Sequence, residues 1–133
     1  MKAILKQLAR EVAWAPITVF VAHEVAGGIF GHEPYVDPVM HFLGGAAMAY
    51  FLRRVAKLSP RLLGSPSALA LDLLAFGMTG FVAIVWEFGE LGSDIFLGTN
   101  IQFSAANTLR DLGLGLGGAV LALLMQARAP WVL

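Results

Sequence analysis

Cysteine is absent from the 133 residues. Disulfides, thiolate metal sites and cysteine nucleophiles are excluded together. Charge is scarce: 14% of residues are Asp, Glu, Lys or Arg, against the roughly 25% usual in soluble domains. Nine basic residues balance nine acidic ones, so bulk charge gives no grip on a polyanion, and nucleic acid is not an expected partner. There is no internal repeat, no low-complexity tract, no Ser–His pairing, no HExxH and no phosphatase-type Lys/Arg motif. What fills the chain is apolar. Hydrophobic residues make up 58% and mean hydropathy is +0.74, a surplus that a soluble core of this size cannot hide. The expectation is a single transmembrane domain over residues 1–133. The first sixteen residues, MKAILKQLAREVAWAP, do not read as a signal peptide, because charges recur through them and no small-residue cleavage site follows.

A membrane-crossing helix needs about 20 mostly apolar residues. That window places spans near 12–30, 39–56, 67–86 and 108–126, an all-α antiparallel four-transmembrane-helix bundle. Ahead of them, Lys2, Lys6 and Arg10 share one helical face opposite Ile4, Leu5 and Leu8, which reads as an amphipathic lead-in on the membrane surface. Eight of the nine Lys and Arg residues fall on one side of these spans, Arg110 being the exception. The positive-inside rule then puts both termini in the cytoplasm. Trp86 near the outer boundary, and Trp14 and Trp131 nearer the inner one, suit aromatic belts.

Helix starts are expected at Asp37-Pro38 and Ser65-Pro66, each a cap followed by proline. Asn107 or Thr108 should cap the last span, with Thr108-x-x-Asp111 as a capping box. Gly113-x-x-x-Gly117 and Gly45-x-x-x-Ala49 are small-residue pairs that let helices approach closely.

The polar residues gather at the outer side. Glu87, Glu90 and Asp94 are spaced i, i+3, i+7 and fall in one stripe of a continuous helix. A carboxylate at mid-bilayer costs roughly 2.5–3.5 kcal/mol on insertion scales, so Glu87 and Glu90 should face inward and find partners. His41 lies one turn into the second span, just before Gly44 and Gly45, which leave room beside its imidazole. His41, Glu87, Glu90 and Asp94 are therefore the candidate metal ligands, oxygen and imidazole donors that suit Mg, Mn, Fe or Zn. His23 and Glu24 are adjacent, about 100° apart on a helix, so one of the two faces the bundle. With Asn107, Arg110 and Asp111 they form a possible further polar site. Asp37 reads as a cap, His32 and Glu33 as solvated loop residues, and Asp72 as an acid that either snorkels or pairs with a neighbouring arginine.

The order Asp37-x-x-x-His41-Phe42, Trp86-Glu87-x-x-Glu90-x-x-x-Asp94-x-x-x-Gly98-Thr99 and Asn107-Thr108-x-x-Asp111-x-x-x-Gly115 resembles the VanZ-like and YjdF-like small bacterial membrane proteins. The resemblance covers about residues 37–120 and implies His41, Glu87, Glu90, Asp94, Asn107 and Asp111 as the shared polar positions. VanZ-like proteins are associated with glycopeptide resistance, but the Gln and Gly-Arg elements of their central motif are missing here, which places the chain nearer the YjdF-like side. The functional expectation is an outer-leaflet His/Glu/Asp cluster that binds a divalent cation or a lipid headgroup. Its alternatives are an accessory subunit of a larger membrane complex, with His23 or His41 contacting haem or a pigment, and a metal-dependent membrane hydrolase. Membrane lipids and other membrane subunits are the partners each reading calls for.

Overall fold

The computed structural model describes residues 2–31 and 35–128, so His32, Glu33 and Trp131 lie outside the described residues. Within them the regular elements are all helical: α1 (Lys2–Glu11), α2 (Trp14–Phe30), α3 (Val36–Lys57), α4 (Pro60–Leu63), α5 (Ala68–Leu97) and α6 (Ala105–Arg128). The all-α expectation holds. α5 and α6 are long and apolar enough to cross a membrane, with windows of mean hydropathy 2.1 and 1.4. α2 is apolar but has 17 residues, and α3 carries Asp37, Arg53, Arg54 and Lys57 along its length.

Proline and glycine set the breaks. Pro16 has no N–H to give the Val12 carbonyl, and its ring crowds that carbonyl, so α1 does not run on into α2. α5 is capped by Ser67, whose hydroxyl accepts from the Ala70 N–H at 3.2 Å. It ends at Gly98, whose φ of 68° is left-handed, a conformation that glycine reaches without a Cβ penalty. Neither Gly89 nor Gly92 interrupts it. Three expected caps are corrected. α3 begins at Val36, which puts Asp37-Pro38 inside the first turn with no side-chain cap; proline is tolerated there because that turn's N–H groups lack helical partners. Ser67 takes the place of Ser65. Ser104 caps α6 by accepting from the Asn107 N–H at 3.2 Å, so Asn107 and Thr108 lie one turn inside the helix and no capping box forms.

α3 is the central helix, packed against α2, α5 and α6. It runs antiparallel to α5, since Arg53 pairs with Asp72 near one end and His41 faces Glu87 and Glu90 near the other. It runs parallel to α6, since His41 lies with Asp111 near one end and Ala49 with Ala119 farther along; between these, Gly45 meets Gly115 and Phe42 meets Gly118. This seam is the tightest in the molecule: a Cβ on Gly45 would fall 1.9 Å from the Gly115 carbonyl oxygen, and one on Gly118 would fall 1.9 Å from that of Phe42. Gly45 fulfils its expected role. The expected Gly113–Gly117 pair does not, since Gly113 has nothing within 4 Å and Gly117 meets only the Phe42 ring. The residues that matter on α6 are Gly115 and Gly118, three apart and so on one face.

Farther along α3, Ala49, Ala75, Ala119 and Leu123 form a core of mostly small side chains. Large apolar residues point outward instead, among them Ile29, Leu69, Phe81, Phe88, Leu109 and Met125. Apolar outside with small and polar residues inside is the pattern of helices whose surroundings are lipid.

Candidate functional site

Among the described residues, six polar or charged side chains are buried: His23, Asp37, Thr79, Glu87, Glu90 and Asp111. All but Thr79 belong to one neighbourhood. His41 stands among them, with its Nδ1 3.9 Å from Glu87 Oε1 and its Nε2 3.9 Å from Glu90 Oε1. Both distances exceed a hydrogen bond. One ligand atom each from His41, Glu87 and Asp111 lies within 4.8 Å of the other two. The structure thus brings together His41, Glu87 and Glu90 from the expected ligand row. It adds Asp111, which the sequence had marked only as a further polar residue.

Each carboxylate is aimed by a neighbour. Trp86 Nε1 donates to Glu90 Oε1 at 2.7 Å, one turn back on the same helix. Gln102 Nε2 donates both to Glu87 Oε2 at 3.1 Å and to the Glu87 carbonyl at 3.0 Å. That leaves Glu87 Oε1 buried without a hydrogen-bond partner. Asp111 is the most heavily bonded of the three. Asn107 Nδ2 donates to its Oδ2 at 2.6 Å, while Arg110 Nε donates to Oδ1 at 2.9 Å and Nη2 to Oδ2 at 3.2 Å. Asp111 therefore serves as an interior acid, not as the acid of a capping box.

Asp94, expected in the ligand row, has partners of another kind. Past Gly98 the chain doubles back, so that Asp94 Oδ1 accepts from Thr99 Oγ1 at 2.7 Å and from the Ile101 N–H at 2.8 Å. Its Oδ2 accepts from the Gln102 N–H at 2.8 Å. These bonds hold the α5–α6 loop in the shape that carries the Gln102 amide to Glu87. Asp94 organises the loop that orients Glu87.

On α2 the choice between His23 and Glu24 falls to His23, which is 9% exposed, against 56% for the Glu24 side chain. His23 Nε2 lies 2.9 Å from Asp37 Oδ1, and Nδ1 lies 3.7 Å from Glu24 Oε1. This explains why Asp37 is not a cap. Its carboxylate turns across the α2–α3 interface to the buried His23 imidazole. At the other end of α3, Asp72 pairs with Arg53, one of the two roles expected of it.

Below the polar neighbourhood lies a cleft of about 360 Å³ between α2 and α5, floored by α3. Its walls are apolar, with His23, His41 and Thr79 as their polar members. Phe20 and Trp86 meet edge to face across it, ring centroids 6.0 Å apart.

Two residues were not legible in the sequence as members of the site. Gln102 sits in an uncharged loop, and its reach to Glu87 depends on how the loop folds. Asp37 had a cap signature that a tertiary contact overrides.

Residues 7–130 match the family model described as Predicted membrane protein (DUF2238). No curated protein and no solved structure matches the chain. The match spans nearly the whole sequence, together with every residue of the buried cluster: the chain belongs to this family of predicted membrane proteins.

Proposed function

We propose that the chain is a four-span bacterial inner-membrane protein that holds a divalent cation between His41, Glu87 and Asp111 in its outer half. The observation that carries this reading is Glu87 Oε1, a buried carboxylate oxygen with no hydrogen-bond partner, 3.9 Å from His41 Nδ1. An unmet buried acceptor costs about 1–3 kcal/mol, and more when it is charged. A cation at that point would offset the cost. Charge balance argues the same way. Four acids, Asp37, Glu87, Glu90 and Asp111, are buried there, and the Arg110 guanidinium is bonded to Asp111. One imidazole and two carboxylates suit Zn, Mn or Fe better than a soft metal. Donor atoms sharing an ion with bonds of about 2.0–2.2 Å sit roughly 3–4 Å apart, so a small inward shift of these side chains would complete the site.

The placement in the outer leaflet rests on length and charge. From Ala68 to Glu87, α5 rises about 29 Å, close to the thickness of the hydrocarbon core. Lys and Arg gather at the opposite end. Kinship with the VanZ-like and YjdF-like groups is part of the same proposal and rests on the spacing of His41, Glu87, Glu90 and Asp111.

The test is thermal unfolding of the purified protein with and without EDTA, then with Mg, Mn, Zn or Ca restored, alongside its metal content. We expect stoichiometric metal and a midpoint that falls with EDTA and recovers with one preferred ion. No shift with any ion would remove the metal reading and leave the accessory-subunit alternative ahead.

A further inference from the structure

Two clefts meet at His23 and Trp86. The apolar one, of about 360 Å³, runs from these residues toward Pro16, Met48 and Thr79. The second, of about 450 Å³, lies at the polar end and is lined by Glu24, Glu90, Ser93 and Ile101 among others. His23, Val82 and Trp86 line both, so the two adjoin. Three walls of the apolar cleft have the same extent: His23 to Pro16 on α2, His41 to Met48 on α3, and Trp86 to Thr79 on α5. Seven residues of helix rise about 10 Å, which is the depth available to a chain inserted from the polar end. Met40 and Met48, flexible and polarizable, line it and can adapt to an occupant of varied shape.

We propose that the adjoining clefts bind a membrane lipid with a primary-amine headgroup, its chain in the apolar cleft and its ammonium between Glu24 and Glu90. The charge of the polar cleft carries the choice of headgroup. Glu24 and Glu90 line it, and among the described residues neither Lys nor Arg does, so an ammonium is attracted and a purely anionic headgroup is repelled. The two carboxylates come from different helices, α2 and α5, on opposite sides of the opening. Glu90 also has its Oε1 fixed by Trp86 Nε1 at 2.7 Å, so its carboxylate is held in place before any headgroup arrives. Surroundings favour a lipid over a soluble amphiphile: α2 and α5 carry exposed apolar residues on both sides of the cleft, Val21 and Val25 on one and Phe81 and Val85 on the other. The site does not depend on a cation at His41, Glu87 and Asp111.

The experiment uses the full chain in nanodiscs of glycerol-headgroup lipid, doped with either of two lipids that differ only in headgroup, amine or glycerol. Both carry a diazirine on the acyl chain, and labelled positions are mapped by mass spectrometry. The amine lipid should label the cleft residues Met48, Thr79 and Val82 about tenfold more than the glycerol lipid, the scale of one charge-assisted hydrogen bond. Val82→Trp, which fills the cleft, should abolish that labelling, and Glu24→Gln with Glu90→Gln should bring the two headgroups to parity. Should the double variant unfold, Glu24→Gln alone, at a half-exposed position, should still reduce the preference. Equal labelling by both lipids in the unaltered protein, or labels confined to outward residues such as Phe88 and Leu109, overturns the proposal. A free long-chain amine competing as well as the amine lipid would overturn the lipid assignment.

Discussion

Gln102 grips Glu87 twice, its side-chain amide donating to the carboxylate at 3.1 Å and to the backbone carbonyl at 3.0 Å. The loop that delivers this amide is tied in turn to Asp94 through the N–H groups of Ile101 and Gln102. One acid of the α5 stripe thus shapes the loop that orients another. Residues that hold a ligand's other atoms usually change metal affinity about 10–100-fold when removed. Gln102→Leu should therefore weaken the cation-dependent rise in melting midpoint and lower stability by about 1–2 kcal/mol without metal. Metal titration followed by thermal unfolding measures both. An unchanged affinity would place the cation away from Glu87.

The α3–α6 seam makes a sharper demand. A methyl group on Gly45 would meet the Gly115 carbonyl at 1.9 Å, and backbone cannot swing aside as a side-chain tip can. Gly45→Ala should force the two helices apart and cost at least about 3 kcal/mol, the upper part of the overpacking range. Gly118→Ala should behave alike, for its Cβ would meet the Phe42 carbonyl at the same distance. Gly113→Ala is the control. It has open space, and trading glycine for alanine in a helix gains up to about 1 kcal/mol. Denaturant titration in detergent ranks the three, and equal stabilities would refute the seam.

Much of this arrangement was legible in the sequence, and the failures share one cause. The all-helical character and the long apolar α5 and α6 followed from apolar length, and the inward turn of Glu87 and Glu90 followed from the penalty of exposing charge to lipid. Gly45 was readable as a close-approach residue, but its partners were not. A glycine-rich run such as GLGLGG offers several i, i+3 and i, i+4 pairs, and only the neighbouring helix selects Gly115 and Gly118. Asp37 shows the same limit. Before a proline it carries every local mark of a cap, yet the imidazole of His23 on another helix claims its carboxylate. Gln102 had no local mark at all.

The His23–Asp37 contact is open to direct test. Both side chains are buried, and 2.9 Å separates Nε2 from Oδ1. Asp37→Ala should destabilise by about 1–3 kcal/mol, since it removes a buried bond across the α2–α3 interface. Asp37→Asn keeps an acceptor oxygen and should cost less. A cap would behave differently, because asparagine and aspartate cap helices about equally well. Equal stability of the asparagine variant and the unaltered protein would restore the cap reading.

The proposed topology rests on charge. Lys6, Arg10, Arg53, Arg54, Lys57, Arg61 and Arg128 lie at one end of the helices and Arg110 at the other. Reporter fusions after Ser59, between α3 and α4, and after Thr99, between α5 and α6, should register the cytoplasm and the opposite side respectively. Both reporters in one compartment would end the four-span reading.

Glu87 and Asp94 separate a ligand from a loop brace. Glu87→Gln keeps shape and volume but removes the charge that a cation would meet at Oε1, so the gain in midpoint on adding metal should vanish. At a cation concentration of 100 times Kd that gain is worth about 2.7 kcal/mol, well within reach of a thermal melt. Asp94→Asn should lower the midpoint with or without metal, because one acceptor in its net to Thr99, Ile101 and Gln102 is lost. Yet it should keep a metal-dependent rise, since its carboxylate is engaged by the loop. The discriminating quantity is the size of the metal-induced shift in each variant, not the midpoint itself. A shift abolished by Asp94→Asn and kept by Glu87→Gln would move the cation from the His41 cluster to the end of α5.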